Sequence, residues 1–136
     1  MFFNAIIFVP FTFKYMPTFS GWNQLVEKYP SNEEVRGTVL LRESAIMKNF
    51  FSYASVLKFV INEDGMGIST CALFRKYHKN VFIPWCDIRF EQERALTRKL
   101  ISLSISSIDC PFRITEKAFI RINQILKGFD KEIKPL

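Results

Sequence analysis

The only histidine of the chain, His78, lies in its densest basic run, Arg75-Lys76-Tyr77-His78-Lys79. Two chemistries are open to such a run. A histidine can serve as a general base, but that work needs a carboxylate or thiol partner, and none stands beside His78. A cationic loop with an aromatic inside it can instead hold a phosphate or an anionic lipid headgroup. The plainer reading is a solvated hairpin loop, and it leads, because basic loops are common and charge alone says little. Asp87, close to Trp85, has the look of a buried acid. Its simpler expectation is a carboxylate that accepts backbone N–H groups at a chain corner. Glu91, Glu93, Arg94, Arg98 and Lys99 form a mixed-charge run that reads as a solvated turn between strands. The sequence has no glycine-rich phosphate loop, no paired acid and base motif and no Ser/His/Asp grouping. The expectation is therefore a protein that is not an enzyme, with no catalytic residue, no metal and no cofactor.

Composition narrows the field further. Cys71, Cys86 and Cys110 are odd in number, widely spaced and without a CxxC pair. A zinc site or disulfide framework is not indicated, and three reduced, buried cysteines in a cytoplasmic setting are expected. With 136 residues the chain fits one domain, able to bury roughly two-thirds of its unfolded surface. Hydrophobic residues make up 49% and Phe alone numbers 15, which points to an aromatic-packed core rather than disorder. The net charge of +6 allows attraction to an anionic surface, hence a location that could be peripheral to a membrane. Basic residues are interleaved with acids instead of gathered in a stripe, so no nucleic-acid partner is expected.

The elements that must position these residues centre on Val81-Phe82-Ile83-Pro84-Trp85-Cys86-Asp87-Ile88-Arg89-Phe90. Val81, Ile83 and Trp85 alternate with the period of a strand, but Ile88 and Phe90 have changed parity. A β-bulge or tight corner near Cys86-Asp87 accounts for the slip, with Trp85 largely buried beside it. Pro84 lacks the N–H of a ladder residue and marks an edge or an interruption.

Taken in order, the chain opens with an apolar arm over residues 1–19. No charge occurs from Phe2 to Phe13, and nine of those residues are apolar. Pro10 and Pro17 argue against one helix, and the run is too short to span a membrane. Such an arm covers the barrel, joins a second subunit by strand addition to make a homodimer, or enters a membrane interface. The first two are favoured over the third. A single domain is expected over residues 20–129. Ser20 caps a short helix whose Trp22, Leu25, Val26 and Tyr29 share a face and which Pro30 ends. Strands are expected near 36–46, 51–62, 66–74, 80–85, 87–93, 98–106 and 108–114. Asn62-Glu63-Asp64-Gly65 supplies a hairpin turn with positive φ at Asp-Gly. The alternation of Ile101, Leu103 and Ile105 with Ser102, Ser104 and Ser106 predicts an antiparallel sheet with one wet face. A closing helix starts at Thr115, buries Phe119, Ile122 and Leu126 along one stripe and stops at Gly128. Residues 130–136 form a charged tail with no structure assigned.

Seven short strands followed by one amphipathic helix resemble a pleckstrin-homology-like (PH-like) or GRAM-like domain. More narrowly, the chain is similar to a family of small uncharacterised bacterial proteins over about residues 19–128. The likeness lies in Ser20-Gly21-Trp22 with Leu25 and Tyr29, in Asp64-Gly65 opening a strand, and in His78 followed by Phe82-Ile83-Pro84-Trp85-Cys86-Asp87-Ile88. The resemblance implies a mostly β (α+β) fold: a bent antiparallel seven-stranded PH-like barrel with a short N-terminal helix and a C-terminal capping helix. It carries no activity with it. Phosphoinositide-binding PH domains usually bear their basic motif around the first hairpin, where this chain reads Arg42-Glu43-Ser44-Ala45-Ile46-Met47-Lys48-Asn49, a poor match. The functional expectation is a non-catalytic binding or scaffolding module. Its partner would be a protein, a peptide or an anionic membrane surface, with Arg75, Lys76, Tyr77, His78 and Lys79 as the candidate loop. The alternative is a carrier of a small apolar ligand or lipid, because a Phe-rich barrel can keep a cavity.

Overall fold

The computed structural model describes residues 17–18, 20–31, 34–48, 51–75, 77–95, 98–106, 108 and 111–129. The apolar arm up to residue 16 and the tail from residue 130 lie outside them. The elements are α1 (Trp22–Lys28), β1 (Thr38–Met47), β2 (Phe51–Ile61), β3 (Gly65–Thr70), a four-residue α2 (Ala72–Arg75), β4 (Val81–Pro84), a 3-10 turn (Trp85–Asp87), β5 (Ile88–Ala95), β6 (Arg98–Ile105), β7 (Phe112–Thr115) and α3 (Glu116–Lys127). All seven strands belong to one antiparallel sheet in the order β4-β3-β2-β1-β7-β6-β5, curled into a nearly closed barrel. The expected strands are all present, in the expected sequence.

Curling the sheet depends on two irregularities in the long β1–β2 hairpin. Between the pairs Leu40–Phe59 and Glu43–Leu57, β1 spends one residue more than β2; between Glu43–Leu57 and Ala45–Tyr53, β2 spends two more than β1. Arg42 (φ 56°) and Ser55 (φ 58°) take up the surplus in the left-handed region, and the Ser55 N–H donates to Ser44 Oγ at 2.7 Å. Such bulges bend the strand and sharpen its twist. The bend divides β1 in two. Thr38 to Leu40 pair only with β2, whereas Ala45 to Met47 pair with both β2 and β7, which draws the second half of the sheet over the first.

The same bend explains why β3 is shorter than expected. Its ladder with β2 ends at Leu57–Thr70, where β2 turns away, and the chain closes α2 with the Arg75 N–H on the Cys71 carbonyl. The last strand also differs, beginning at Phe112 behind Pro111 instead of near residue 108. The slip in parity after Trp85 is a tight corner: one turn of 3-10 helix joins β4 to β5. Pro84 is the last residue of β4, an edge strand of the sheet. Its outer side is covered by the segment after α1, through a Pro30–Val81 bridge and the Phe82 N–H on the Tyr29 carbonyl.

The turn before β3 corrects the expectation of positive φ. Gly21 is the only glycine with positive φ among the described residues. Gly65 is needed for space, since a Cβ there would lie 2.3 Å from the Ile83 carbonyl oxygen. Helix starts differ as well. The N-cap of α1 is Gly21 and not Ser20, whereas α3 is capped as expected, the Ala118 N–H donating to Thr115 Oγ1 at 3.1 Å.

The core gathers Trp22 and Leu25 from α1, Tyr53, Leu57, Phe59 and Ile61 from β2, Phe90 from β5, Phe112 and Ile114 from β7, and Ala118, Phe119, Ile122 and Leu126 from α3. Phe90 and Phe119 meet with ring centroids 5.2 Å apart, which seats α3 on the barrel. Each buried large apolar side chain contributes roughly 1.5–3 kcal/mol. Leu126 is fully buried. Leu126→Ala should therefore cost about 2–5 kcal/mol in urea denaturation, the range for emptying a core leucine site. A loss under 0.5 kcal/mol would mean that α3 does not close the barrel.

Candidate binding groove and buried histidine

The 75–79 run is not the solvated loop that its composition suggested. His78 is fully buried. Its ring stands edge-on to Trp22 and Tyr53, with centroid separations of 5.2 and 5.4 Å. His78 Nε2 shares a hydrogen bond of 3.0 Å with the Tyr53 hydroxyl, which shares another of 2.8 Å with Ser20 Oγ. Trp22 Nε1 donates to the Lys79 carbonyl at 2.8 Å. Ser20, Trp22, Tyr53 and His78 thus lock α1, β2 and the β3–β4 connection together. Arg75 and Lys79 are exposed, Tyr77 is half-buried and Lys76 lies outside the described residues. Arg75, Tyr77, His78 and Lys79 do not share one exposed face, because the chain has to turn His78 inward to make this contact. Sequence offered no sign of it: a histidine flanked by polar and basic neighbours has no apolar pattern to mark it as internal.

Asp87 also finds a partner that local sequence does not indicate. The Tyr29 hydroxyl donates to Asp87 Oδ2 at 2.9 Å, tying the end of α1 to the β4–β5 corner. Burial, together with the hydrogen bond to Asp87 and its negative charge, pushes the Tyr29 pKa up to about 12. Trp85 is half-buried rather than largely buried, and its Nε1 donates to the Asn62 carbonyl at 2.9 Å. Cys71 and Cys86 are exposed, against the expectation of buried thiols; Cys110 lies outside the described residues. The mixed-charge run from Glu91 is strand backbone at the ends of β5 and β6, paired from Glu91–Ser102 to Ala95–Arg98. Glu43, between the two bulges, is buried and accepts from Arg121 Nη1 of α3 at 3.1 Å.

An open groove of about 1030 Å3 lies beside the β2–β3 turn. One wall is the segment Pro30, Ser31 and Glu34 to Gly37; the other is Asn62, Glu63 and Asp64, with Phe82 of β4 and Phe129, just beyond α3, completing it. Glu34, Glu63 and Asp64 are exposed acids on the rim and Arg36 is an exposed base. Phe129 leaves 42% of its surface in solvent, and Phe82 and Val35 are half-buried. Asn62 holds both walls: its Nδ2 donates to the Arg36 carbonyl at 2.9 Å, while Oδ1 accepts the N–H groups of Asp64 and Gly65 at 2.9 and 3.0 Å. A smaller cleft of about 420 Å3 lies between β1, β2, β7 and the start of α3, with Ser44, Ser52, Arg113 and Lys117 on its walls. Neither was visible in the sequence, since their residues come from segments far apart along the chain.

Among the described residues no three His, Cys, Asp or Glu side chains converge as metal ligands, and no helix is long and apolar enough to cross a membrane. The class defined by these observations is a helix-capped antiparallel β-barrel. No family model, curated protein or solved structure matches the chain.

Two outcomes test this geometry. Tyr53→Phe removes the hydroxyl shared by Ser20 and His78 and should cost about 1–3 kcal/mol by chemical denaturation, the range for disrupting a buried polar network. No change would mean the bridge is idle. The raised Tyr29 pKa means the folded chain holds the phenolic proton more tightly than the unfolded one. The stability linked to it is whole below pH 10 and is lost as pH climbs through about 12. In a phenolate absorbance titration the component that Tyr29→Phe removes should have its midpoint near 12. Asp87→Asn should lower its midpoint without restoring it fully, because burial is the larger cause.

Proposed function

We propose that this chain is a non-catalytic binding module of the PH-like kind, and that it takes an extended peptide segment of a protein partner into the groove between Glu34 to Gly37 and the β2–β3 turn. The observation that carries the reading is the groove itself. It combines apolar lining residues, Val35, Phe82 and Phe129, with exposed charged ones, the mixture by which a surface cleft takes an apolar anchor and reads its flanking charges. With three acids against one base on the rim, a partner carrying Lys or Arg next to a large apolar residue is favoured over an acidic one.

The carrier reading has less support. Trp22, Tyr53, Phe59, Phe90 and Phe112 are fully buried and fill the barrel with aromatic side chains, and the two clefts described above open at its surface. An anionic membrane surface would meet the loop without His78, which is buried, and this weakens the basic-loop version of the module.

Panning a random peptide library on the full chain should return sequences pairing a large apolar residue with Lys or Arg. Glu34→Lys, a change at an exposed site, should weaken their binding about tenfold, and Phe82→Ala should abolish it. Peptides that bind both variants as well as the parent would place the interaction elsewhere.

A further inference from the structure

We propose that the cleft between β1, β2, β7 and the start of α3 is a second binding site, for a small zwitterion that carries a carboxylate and a protonated amine on an apolar body. It is separate from the groove and stands without it. Strand register places its walls. Ser52 pairs with Ile46 and Ile46 with Arg113, so these three form one row across β2, β1 and β7. Their neighbours along the strands, Tyr53, Ala45, Met47, Phe112 and Ile114, are buried in the core, so the row faces outward. Thr115, two residues after Arg113, and its partner Leu100 continue that face to the first turn of α3, where Glu116 and Lys117 complete the lining. The space, about 420 Å3, is of the ordinary size for a small-ligand site.

The lining residues carry both signs of charge. Arg113 is half-buried and Lys117 exposed. Ser44 Oγ accepts the Ser55 N–H at 2.7 Å and Thr115 Oγ1 accepts the Ala118 N–H at 3.1 Å, which leaves each hydroxyl proton to donate. Two cations and two such donors in one cleft suit a carboxylate. Glu116 supplies the other half. Its Oε2 is buried and has no hydrogen-bond partner among the described residues. Buried acceptors are ordinarily satisfied, and a carboxylate oxygen withdrawn from water is costly. An acid in the first turn meets the helix dipole equally well from solvent, so helix stability does not account for this burial. A bound ammonium does. Ile46, Ala54 and Leu100, also lining the cleft, take the apolar body. A simple anion would set its charge against Glu116 and a simple amine against Arg113 and Lys117, whereas a ligand with both charges meets all three.

The test titrates the full chain with L-phenylalanine, with phenethylamine, which lacks the carboxylate, and with 3-phenylpropionate, which lacks the amine. Nitrogen-15 amide shifts follow the binding. Phenylalanine should bind with a Kd on the order of 1 mM or tighter, about tenfold more tightly than either analogue, and shift the amides of Ile46, Arg113 and Lys117. In Glu116→Gln its advantage over 3-phenylpropionate should vanish, and Lys117→Met should weaken both acids while sparing phenethylamine. Each readout compares ligands on one protein, so a general loss of stability does not imitate it. No binding up to roughly 10 mM would overturn the assignment. So would equal affinity for phenylalanine and 3-phenylpropionate in the parent, an advantage that survives Glu116→Gln, acids unaffected by Lys117→Met, or shifts confined to Gly37, Asp64 and Phe82 of the groove.

Discussion

Asn62 is the residue on which the groove end of the molecule depends. All four of its hydrogen-bonding groups are engaged: the backbone N–H with the Gly65 carbonyl, the backbone carbonyl with Trp85 Nε1, Oδ1 with two turn amides and Nδ2 with the Arg36 carbonyl. One residue therefore holds the β2–β3 turn and the approach to β1 through its side chain and the β4–β5 corner through its backbone carbonyl. An aspartate would lose the donor and a serine the reach. Gly37 and Gly65 flank this point because the backbones approach too closely for a Cβ, which would sit 2.4 Å from the Ile61 oxygen and 2.3 Å from the Ile83 oxygen respectively.

At the opposite side of the hairpin the constraint is curvature. Left-handed backbone at a residue with a Cβ costs about 1–2 kcal/mol, and Arg42 and Ser55 both adopt it. A flat hairpin would avoid that cost but would leave Ala45 to Met47 unable to pair with β7. Closure of the barrel buries the aromatic core and offsets the strain. Glu43 sits between the two bulges, and its pairing with Arg121 of α3 compensates a carboxylate that the bend has carried out of water.

The polar groups inside the fold serve mainly to join segments. His78 and Tyr53 connect the β3–β4 link to β2, Tyr29 and Asp87 connect α1 to the corner, and Thr115 starts α3. A residue type associated with catalysis is here absorbed into packing, as a buried imidazole with aromatic neighbours and a hydroxyl partner. The open chemistry of the molecule is instead at its surface, where the acidic rim of the groove stands out on a chain of net charge +6.

Local chemistry by itself determined the number of strands and their succession along the chain, the corner after Pro84, the capped α3 with its buried Phe119, Ile122 and Leu126, and the apolar face of α1. Each of these is written in a short-range signal: a period of two or of 3.6 residues, a change of parity, or a capping hydroxyl. Tertiary structure alone decided what those signals do not encode. The inward turn of His78 depends on Trp22 and Tyr53, which are distant in sequence. The exposure of Cys71 and Cys86 depends on where α2 and the corner project. The early end of β3 depends on bulges in a neighbouring strand, and the small size of Gly65 matters because of β4 rather than its own φ. The groove is made from four separated stretches of chain, so it came into being only when the barrel bent and brought them together.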